Sequence, residues 1–401
     1  MKRDVLILCQ YFYPEYISSA TLPTEMAEDM VASGLTVDVL CGYPLEYSKA
    51  KNLPKKERYK QINIKRIKYI QLDKKKTLNR LINYFSFIVS MFLKWPSMLK
   101  YKSIIVYSNP PLLPIIPALL SVIFRRKFIF VAYDIYPDLA VLMDTIKKGS
   151  LIHKMMKITN RIVYKNAEHI VALGEEMKSY MLENKLTLYE EKIKVIPNWY
   201  DGTKLNFQKG IRVKENRKFR VLYSGNMGTC QDMDTILNCI YTMRNNHNVE
   251  FVLTGHGNKV KGIISFIKEK NLENVELHGF LLGEEYINML TSADCYLVSL
   301  ERGVEGMSVP SKTYGYLAAG RPLLAIMSST TDISMKIIDN AAGFSFEQGE
   351  VDKLAQAIEY LCNNTDICDE MGANAFKVFK ENYERQISTN KYIDLIKTSV
   401  I

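Results

Sequence analysis

Short apolar runs alternate with amphipathic stretches along most of the chain. In the first half, Val5-Leu6-Ile7-Leu8, Thr36 to Cys41, Ser103 to Tyr107, Lys127 to Ala132 and His169 to Ala172 read as buried strands. Phe219 to Tyr223, Val249 to Thr254, Val275 to His278, Cys295 to Ser299 and Leu323 to Ile326 do so in the second. Helical spacing fills the gaps, for example around Leu22 to Ser33 before Gly34, and throughout the segment after Val351. Two segments open alike: Asp4 to Cys9 runs into the turn Gln10 to Ala20, and Phe219 to Tyr223 into SGNMGTCQD, from Ser224 to Asp232. Strands alternating with helices predict parallel sheets. The predicted class is therefore α/β: two doubly wound, Rossmann-like domains facing each other across a cleft.

The boundary is expected near Val195-Ile196-Pro197-Asn198, because Trp199 to Lys218 is polar, basic and poorly periodic. This gives a first domain over 1–200, a second over 201–380, and a helix over 381–401 that crosses back to the first. Asn198 is expected to tie the linker backbone. In open α/β sheets, ligands bind beyond the carboxyl ends of the strands, so three loops of the second domain are candidates. Gly225-Asn226-Met227-Gly228 and Gly255-His256-Gly257 follow strands, and their glycines and backbone N–H groups suit a phosphate. The third is GMSVPSKTYGYLAAGRPLLA, from Gly306 to Ala325. Pro310 and Ser311 predict a turn and an N-cap before Lys312-Thr313, and Gly320 predicts a left-handed exit. A lysine at a helix N-terminus is a ready anion site; the bland reading is a capped structural helix with an exposed lysine.

Composition excludes disorder and fibrous classes, and 401 residues suffice for two cores. The seven cysteines are scattered without a C-x-x-C spacing and read as reduced thiols, so no metal is expected. The apolar runs are all shorter than the roughly 18 residues a membrane span needs, and Met1-Lys2-Arg3 leads directly into a strand, so a cytoplasmic protein is expected. Charge changes the picture. Between Lys49 and Lys102 there are 16 Lys or Arg against two acids, exceeding the chain's net charge of +10. Within it lies LINYFSFIVSMFL, from Leu81 to Leu93, flanked by Arg80 and Lys94-Trp95. Two readings stand: an interfacial element on the anionic inner face of the plasma membrane, or a buried helix beside a solvated basic loop. No recognition module accompanies the basic patch, so nucleic acid is not an expected partner.

Over nearly its whole length the chain resembles retaining GT-B glycosyltransferases of family 4. It is similar especially to the branch building bacterial O-antigen, capsule and exopolysaccharide, which includes proteins named as fucosamine transferases. The resemblance is carried by YFYPE (Tyr11 to Glu15), SNPPLL (Ser108 to Leu113), YDIYPD (Tyr133 to Asp138), VIPNWYD (Val195 to Asp201), LYSGNMGTCQDMDTIL and VPSKTYGYLAAGRP. It implies transfer of a sugar from a nucleotide-diphosphate donor, with UDP as the expected base, to a polyprenyl-diphosphate-linked saccharide, with no cofactor and no metal. Gly225, Asn226, Gly228, Gly255, His256, Gly257, Pro310, Ser311, Lys312 and Thr313 would hold the donor. Glu15, Tyr133 and Asp138 would lie on the acceptor side, and Asp134 and Lys312 would carry the chemistry.

The chain also departs from that pattern. Met307 and Gly315 stand where two glutamates are usual, leaving Glu305 either as a displaced carboxylate or as a loop acid. Asn226 and Gln231 replace an arginine and a lysine, so Lys312, Arg302 or Arg321 would have to compensate. Tyr133 replaces a histidine, while Asp134 remains, either to handle the acceptor hydroxyl or to cap the next helix. Glu15 is open between binding acceptor and completing a helix cap. Two rival functions follow from these losses: a sugar-nucleotide epimerase of the same architecture, and a non-catalytic protein binding sugar nucleotide or membrane.

Overall fold

The computed structural model describes residues 3–44, 53–72, 77–183, 187–205 and 217–400. Parts of the basic stretch (45–52 and 73–76) and most of the linker (206–216) lie outside the described residues. The chain divides into two compact units. The first comprises Met1–Asn198, Gly306–Val309 and Gln386–Ile401, and the second Trp199–Glu305 and Pro310–Arg385. The short piece Gly306–Val309, which the sequence reading leaves in the second domain, thus groups with the first.

The first unit is built on β1 (Arg3–Leu8), β2 (Val37–Gly42), β3 (Lys56–Tyr59), β4 (Ile62–Ile67), β5 (Tyr101–Tyr107), β6 (Lys127–Val131), β7 (His169–Ala172) and β8 (Ile193–Val195). Their order is β3-β4-β2-β1-β5-β6-β7-β8, parallel except for the antiparallel β3–β4 pair. Val5, Leu6, Ile7 and Leu8 are wholly buried, as a central parallel strand covered on both faces requires. Order reverses between β1 and β5, so the loops after these two strands diverge and leave a crevice at the carboxyl edge.

The β3–β4 hairpin escapes the sequence reading because its charge density hides its alternation. Edge strand β3 shows exposed and half-buried residues in turn, and Lys60 and Gln61 make the tight turn at positive φ (42° and 67°). The basic stretch is therefore not simply a solvated loop. Arg66 within it is buried, paired with Glu57 at 2.7 Å and donating to the carbonyls of Tyr13 (2.9 Å) and Pro54 (3.1 Å).

The second unit carries β9 (Phe219–Asn226), β10 (Val249–His256), β11 (Val275–His278), β12 (Cys295–Ser299), β13 (Leu323–Ile326) and β14 (Gly343–Phe346), all parallel, in the order β11-β10-β9-β12-β13-β14. Helices Met233–Thr242 and Val351–Asn363 pack their apolar stripes onto this sheet. The switch point falls between β9 and β12. It brings together the turn after Asn226 and the segment leading to helix Lys312–Ala319, which crosses from β12 to β13. The last helix, Arg385–Val400, lies mostly in the first unit, where Lys127 Nζ donates to the carbonyl of Ser399 at 2.8 Å.

Candidate functional site

In the second unit, β9 and β10 stay in register to their last residues, Gly225 opposite Gly255 and Asn226 opposite His256. Gly225, Gly255 and Gly257 have φ near +140°, a region that L side chains rarely adopt. A Cβ at Gly255 would overlap the Gly225 carbonyl, and one at Gly257 the Met227 carbonyl. These two glycines are required by the approach of one loop's backbone to the other, not by space left for a ligand. The N–H of Met227 is likewise spent on the His256 carbonyl (2.6 Å), and that of Gly228 on Gln231 Oε1 (3.1 Å). His256 sets its ring edge-on to Phe280 at 4.9 Å.

Gly225 serves the site differently, since the space where its Cβ would stand is covered by the Lys312 side chain, with Cε at 3.1 Å and Nζ at 3.4 Å. Lys312 Nζ lies 3.6 Å from the Tyr223 ring centroid and 3.5 Å from the Asn226 carbonyl. Among the described residues no carboxylate pairs with it. Burial therefore holds the Lys312 ammonium well below the usual lysine range.

The helix carrying this lysine is anchored from below. Tyr316 donates to the Ser224 carbonyl (3.0 Å), accepts from the Ser224 N–H (2.6 Å), and stacks on Tyr296 at 4.4 Å. Gly320 takes the left-handed exit (φ 66°), but the start differs from expectation. Ser311 is already helical in φ/ψ and makes no side-chain cap, the Thr313 N–H bonding instead to the Pro310 carbonyl at 3.1 Å. The Thr313 hydroxyl is fully buried with no hydrogen-bond partner among the described residues.

The missing charges are not restored where the sequence pointed. Arg321 is 3.5 Å from Asp369, and the exposed Arg302 reaches the Gln348 carbonyl. Glu305 is occupied by the Gly303 N–H (2.6 Å) and Gln348 Nε2 (3.0 Å), which makes it a loop acid. At Gly315 a Cβ would meet the Tyr200 ring at 3.3 Å, so tyrosine fills the place of the second glutamate. Lys259 Nζ reaches the Gln231 carbonyl at 2.8 Å, but it is paired there with Glu301 at 3.0 Å. Lys259 drew no notice in the sequence because it lies outside every glycine turn.

In the first unit, Asp134 follows β6 and is held by two segments. Ser108 Oγ, after β5, accepts the N–H groups of Tyr133 (3.0 Å) and Asp134 (3.1 Å). From the other side Gly306–Val309 runs against it as a short antiparallel bridge, with Ile135 N–H on the Met307 carbonyl (2.8 Å) and Ser308 Oγ donating to Asp134 Oδ1 (2.7 Å). Burial pushes the Asp134 carboxyl above the usual range, while hydroxyl bonds from Ser308 and Tyr136 oppose the shift. Glu15 is buried; burial first, then the charges of Cys41 and Glu15, raise the Cys9 thiol, and burial with Tyr392 and Cys9 raises the Tyr133 phenol, so Glu15 and Tyr133 both lie near Cys9 at the end of β1. Asp138 opens helix Asp138–Leu142 and acts instead on the phenols of Tyr164 and Tyr180. Asn198, expected to tie the linker, is buried with an unbonded Oδ1.

Ser308 had no signal in the sequence, since its partner is 174 positions away. Ser308→Ala removes a bond that favours the ionised carboxylate. The Asp134 carboxyl should then titrate at still higher pH, as side-chain carboxyl NMR would read, with Ser308→Thr restoring the parent titration.

Residues 206–378, nearly all of the second unit, match the family model described as glycosyl transferases group 1. A probable glycosyltransferase WbjE of Pseudomonas aeruginosa is 26% identical over 72% of this chain and 73% of its own length. The chain is a glycosyltransferase. It is also 21% identical, over 64% of its length and 65% of the relative's, to a protein of Escherichia coli K12 named as the colanic acid biosynthesis glycosyl transferase WcaI. Among solved structures, Anabaena HepE in complex with UDP-glucose superposes with a TM-score of 0.72 at 14% identity, covering 99% of each chain. The likeness gives the glycosyltransferase a GT-B fold of two Rossmann-like domains. Its Lys312 helix and β9 turn both fall inside the group 1 match, while Asp134 and Glu15 fall outside it.

Proposed function

We propose that this glycosyltransferase belongs to family 4, in the branch similar to fucosamine transferases. It transfers a sugar with retained anomeric configuration from a UDP-sugar on the second unit to a polyprenyl-diphosphate-linked saccharide on the first, in O-antigen or capsule biosynthesis. The names of WcaI and the HepE complex support the polysaccharide product and the UDP-sugar respectively. The observation that carries the proposal is Lys312: a half-buried amine packed over the Tyr223 ring, with no carboxylate beside it among the described residues, at the start of the helix that enters the sheet's switch point.

When the bond from the anomeric carbon to the diphosphate oxygen breaks, negative charge gathers on the leaving diphosphate. The Lys312 ammonium and the N–H groups at the helix start stabilise that charge without a metal. Gly225 keeps the lysine's path open, and Asn226, Gly228, His256, Pro310, Ser311 and Thr313 line the donor side. The acceptor hydroxyl attacks the face the diphosphate leaves, and its proton passes to Asp134, whose burial makes it a stronger base. Met307 and Gly315 supply no carboxylate for a covalent intermediate, so a front-face displacement is the consistent route. Glu15 and Tyr133 position the acceptor, and the enzyme works peripherally on the inner face of the plasma membrane.

A thermal-shift screen against UDP-, dTDP- and GDP-sugars tests the donor. One UDP-sugar should raise the unfolding midpoint by several degrees at a hundredfold excess over Kd, about 2.7 kcal/mol of stabilisation. If none of the nucleotides stabilises the protein, the proposal fails.

A further inference from the structure

Three crossover helices of the first unit leave apolar side chains in the open. Thr77–Phe92 leads from β4 to β5, Ile115–Phe124 from β5 to β6, and Leu151–Asn166 from β6 to β7. All three step the same way across the sheet, so right-handed connection puts them on one face. They also touch: Ser121 Oγ donates to the Asn166 carbonyl at 3.3 Å, and Trp95, just past the first helix, stacks on Phe124 at 5.4 Å.

The outward side of the first helix is apolar where a surface helix is ordinarily polar. Leu78, Phe85, Val89 and Phe92 are exposed at intervals of seven, four and three residues, and Leu93 follows at 67% exposure. Val122, Ile123 (64%) and Phe124 end the second helix, and Leu151 (74%) and Ile158 (61%) stand out on the third. Lys154, Lys157, Arg161 and Lys165 share the exposed side of that third helix. None of the three helices contains an Asp or Glu. Helix Ser18–Ala32, which steps the opposite way from β1 to β2, carries Glu25, Glu28 and Asp29. Helix Glu175–Met181, which steps the same way from β7 to β8 at the sheet's edge, carries Glu175 and Glu176, so the acid-free area is that of the three adjoining helices and not the whole face.

We infer that this three-helix face lies flat on an anionic phospholipid bilayer, Leu93, Ile123 and Leu151 entering the headgroup boundary while the basic row of Leu151–Asn166 meets lipid phosphates. It deepens the membrane partner proposed above and does not depend on donor or acceptor. It also moves the contact. The sequence placed it within Lys49–Lys102, whereas two of the three helices lie beyond that stretch, and Phe87 and Met91 of the first are buried in the core. No helix of the described residues is long and apolar enough to cross a membrane, which fits a face that rests on one.

Flotation of the full chain with vesicles of phosphatidylcholine, alone or with 30% phosphatidylglycerol, tests this. Binding should require the anionic lipid and weaken in high salt. Leu93→Asp with Ile123→Asp, and separately Lys154→Glu with Arg161→Glu, should each lower the partition coefficient at least about tenfold. Both double variants change exposed positions, and an unaltered unfolding midpoint and unaltered nucleotide-induced shift would show the fold and the donor site intact. Equal binding to neutral vesicles, no binding to either, or variants that bind like the parent would overturn the inference. So would sedimentation showing a parent dimer that the aspartate pair dissolves, since a second copy would then be the occupant.

Discussion

Lys312→Met should lower the rate of sugar transfer by about 10²- to 10³-fold, a loss of roughly 3–4 kcal/mol of transition-state stabilisation. The expectation rests on what the lysine lacks. Its amine has an aromatic face and one long carbonyl contact, so the fold gains little from its charge. The sign of the stability effect follows. Burial lowers the folded-state pKa below that of the unfolded chain, so between the two values the unfolded state binds more protons and stability rises with pH. Below the folded value the buried charge is a cost throughout. Methionine keeps the volume and removes the cost, so the variant should melt no lower than the parent at neutral pH. The same shift governs ligand binding: the ammonium is lost at lower pH than on a surface lysine, and affinity for a nucleoside diphosphate should fall as pH rises through the alkaline range. Lys312→Arg, which stays charged, should flatten that fall. Unchanged transfer by the methionine variant would remove the amine from the reaction.

Asp134→Asn should cost about 10²- to 10⁴-fold in kcat while leaving donor binding intact, because proton transfer is lost and the second unit is untouched. An amide oxygen can still accept from Ser308, so the bridge to Gly306–Val309 should persist. The folded carboxyl titrates above its unfolded value of about 3.9. Its contribution to stability is therefore present below the unfolded pKa and lost as pH rises through the folded one. At neutral pH the asparagine variant should unfold at the same midpoint or a higher one. Activity of the parent should fall as pH drops through the raised pKa, and the asparagine variant should lack that limb. A variant that transfers sugar normally would leave Asp134 a purely structural acid.

Most strands could be read from apolar runs, because burial on both faces of a parallel sheet requires residues such as Val5 to Leu8 whatever their neighbours. The exceptions follow the same physics. Strands β3 and β4 carry charges that break the pattern, β8 is only three residues, and β14 interleaves glycine and serine with its phenylalanines. The candidate lysine and aspartate were legible because Lys312 opens a helix after a turn signal and Asp134 lies just past a buried strand. Their partners were not. Ser308, Tyr136 and Tyr223 are ordinary residues that gain a role only by meeting a charge. Ser311 had the right chemistry for a cap, yet its backbone is already helical and the Pro310 carbonyl takes the turn's bond.

By itself the sequence determined two α/β units, most of their strands, and the strand-to-helix connections around Lys312 and Asp134. Those follow from local periodicity and turn chemistry, which act over a few residues. Only the tertiary structure decided that Gly255 and Gly257 serve backbone packing, that Lys259 pairs with Glu301 beside the Gln231 carbonyl, and that Ser308 holds Asp134 from 174 positions away. It also decided that three acid-free helices share one face. The reason is that strand order and crossover hand set which distant segments meet, and no short window of sequence records either.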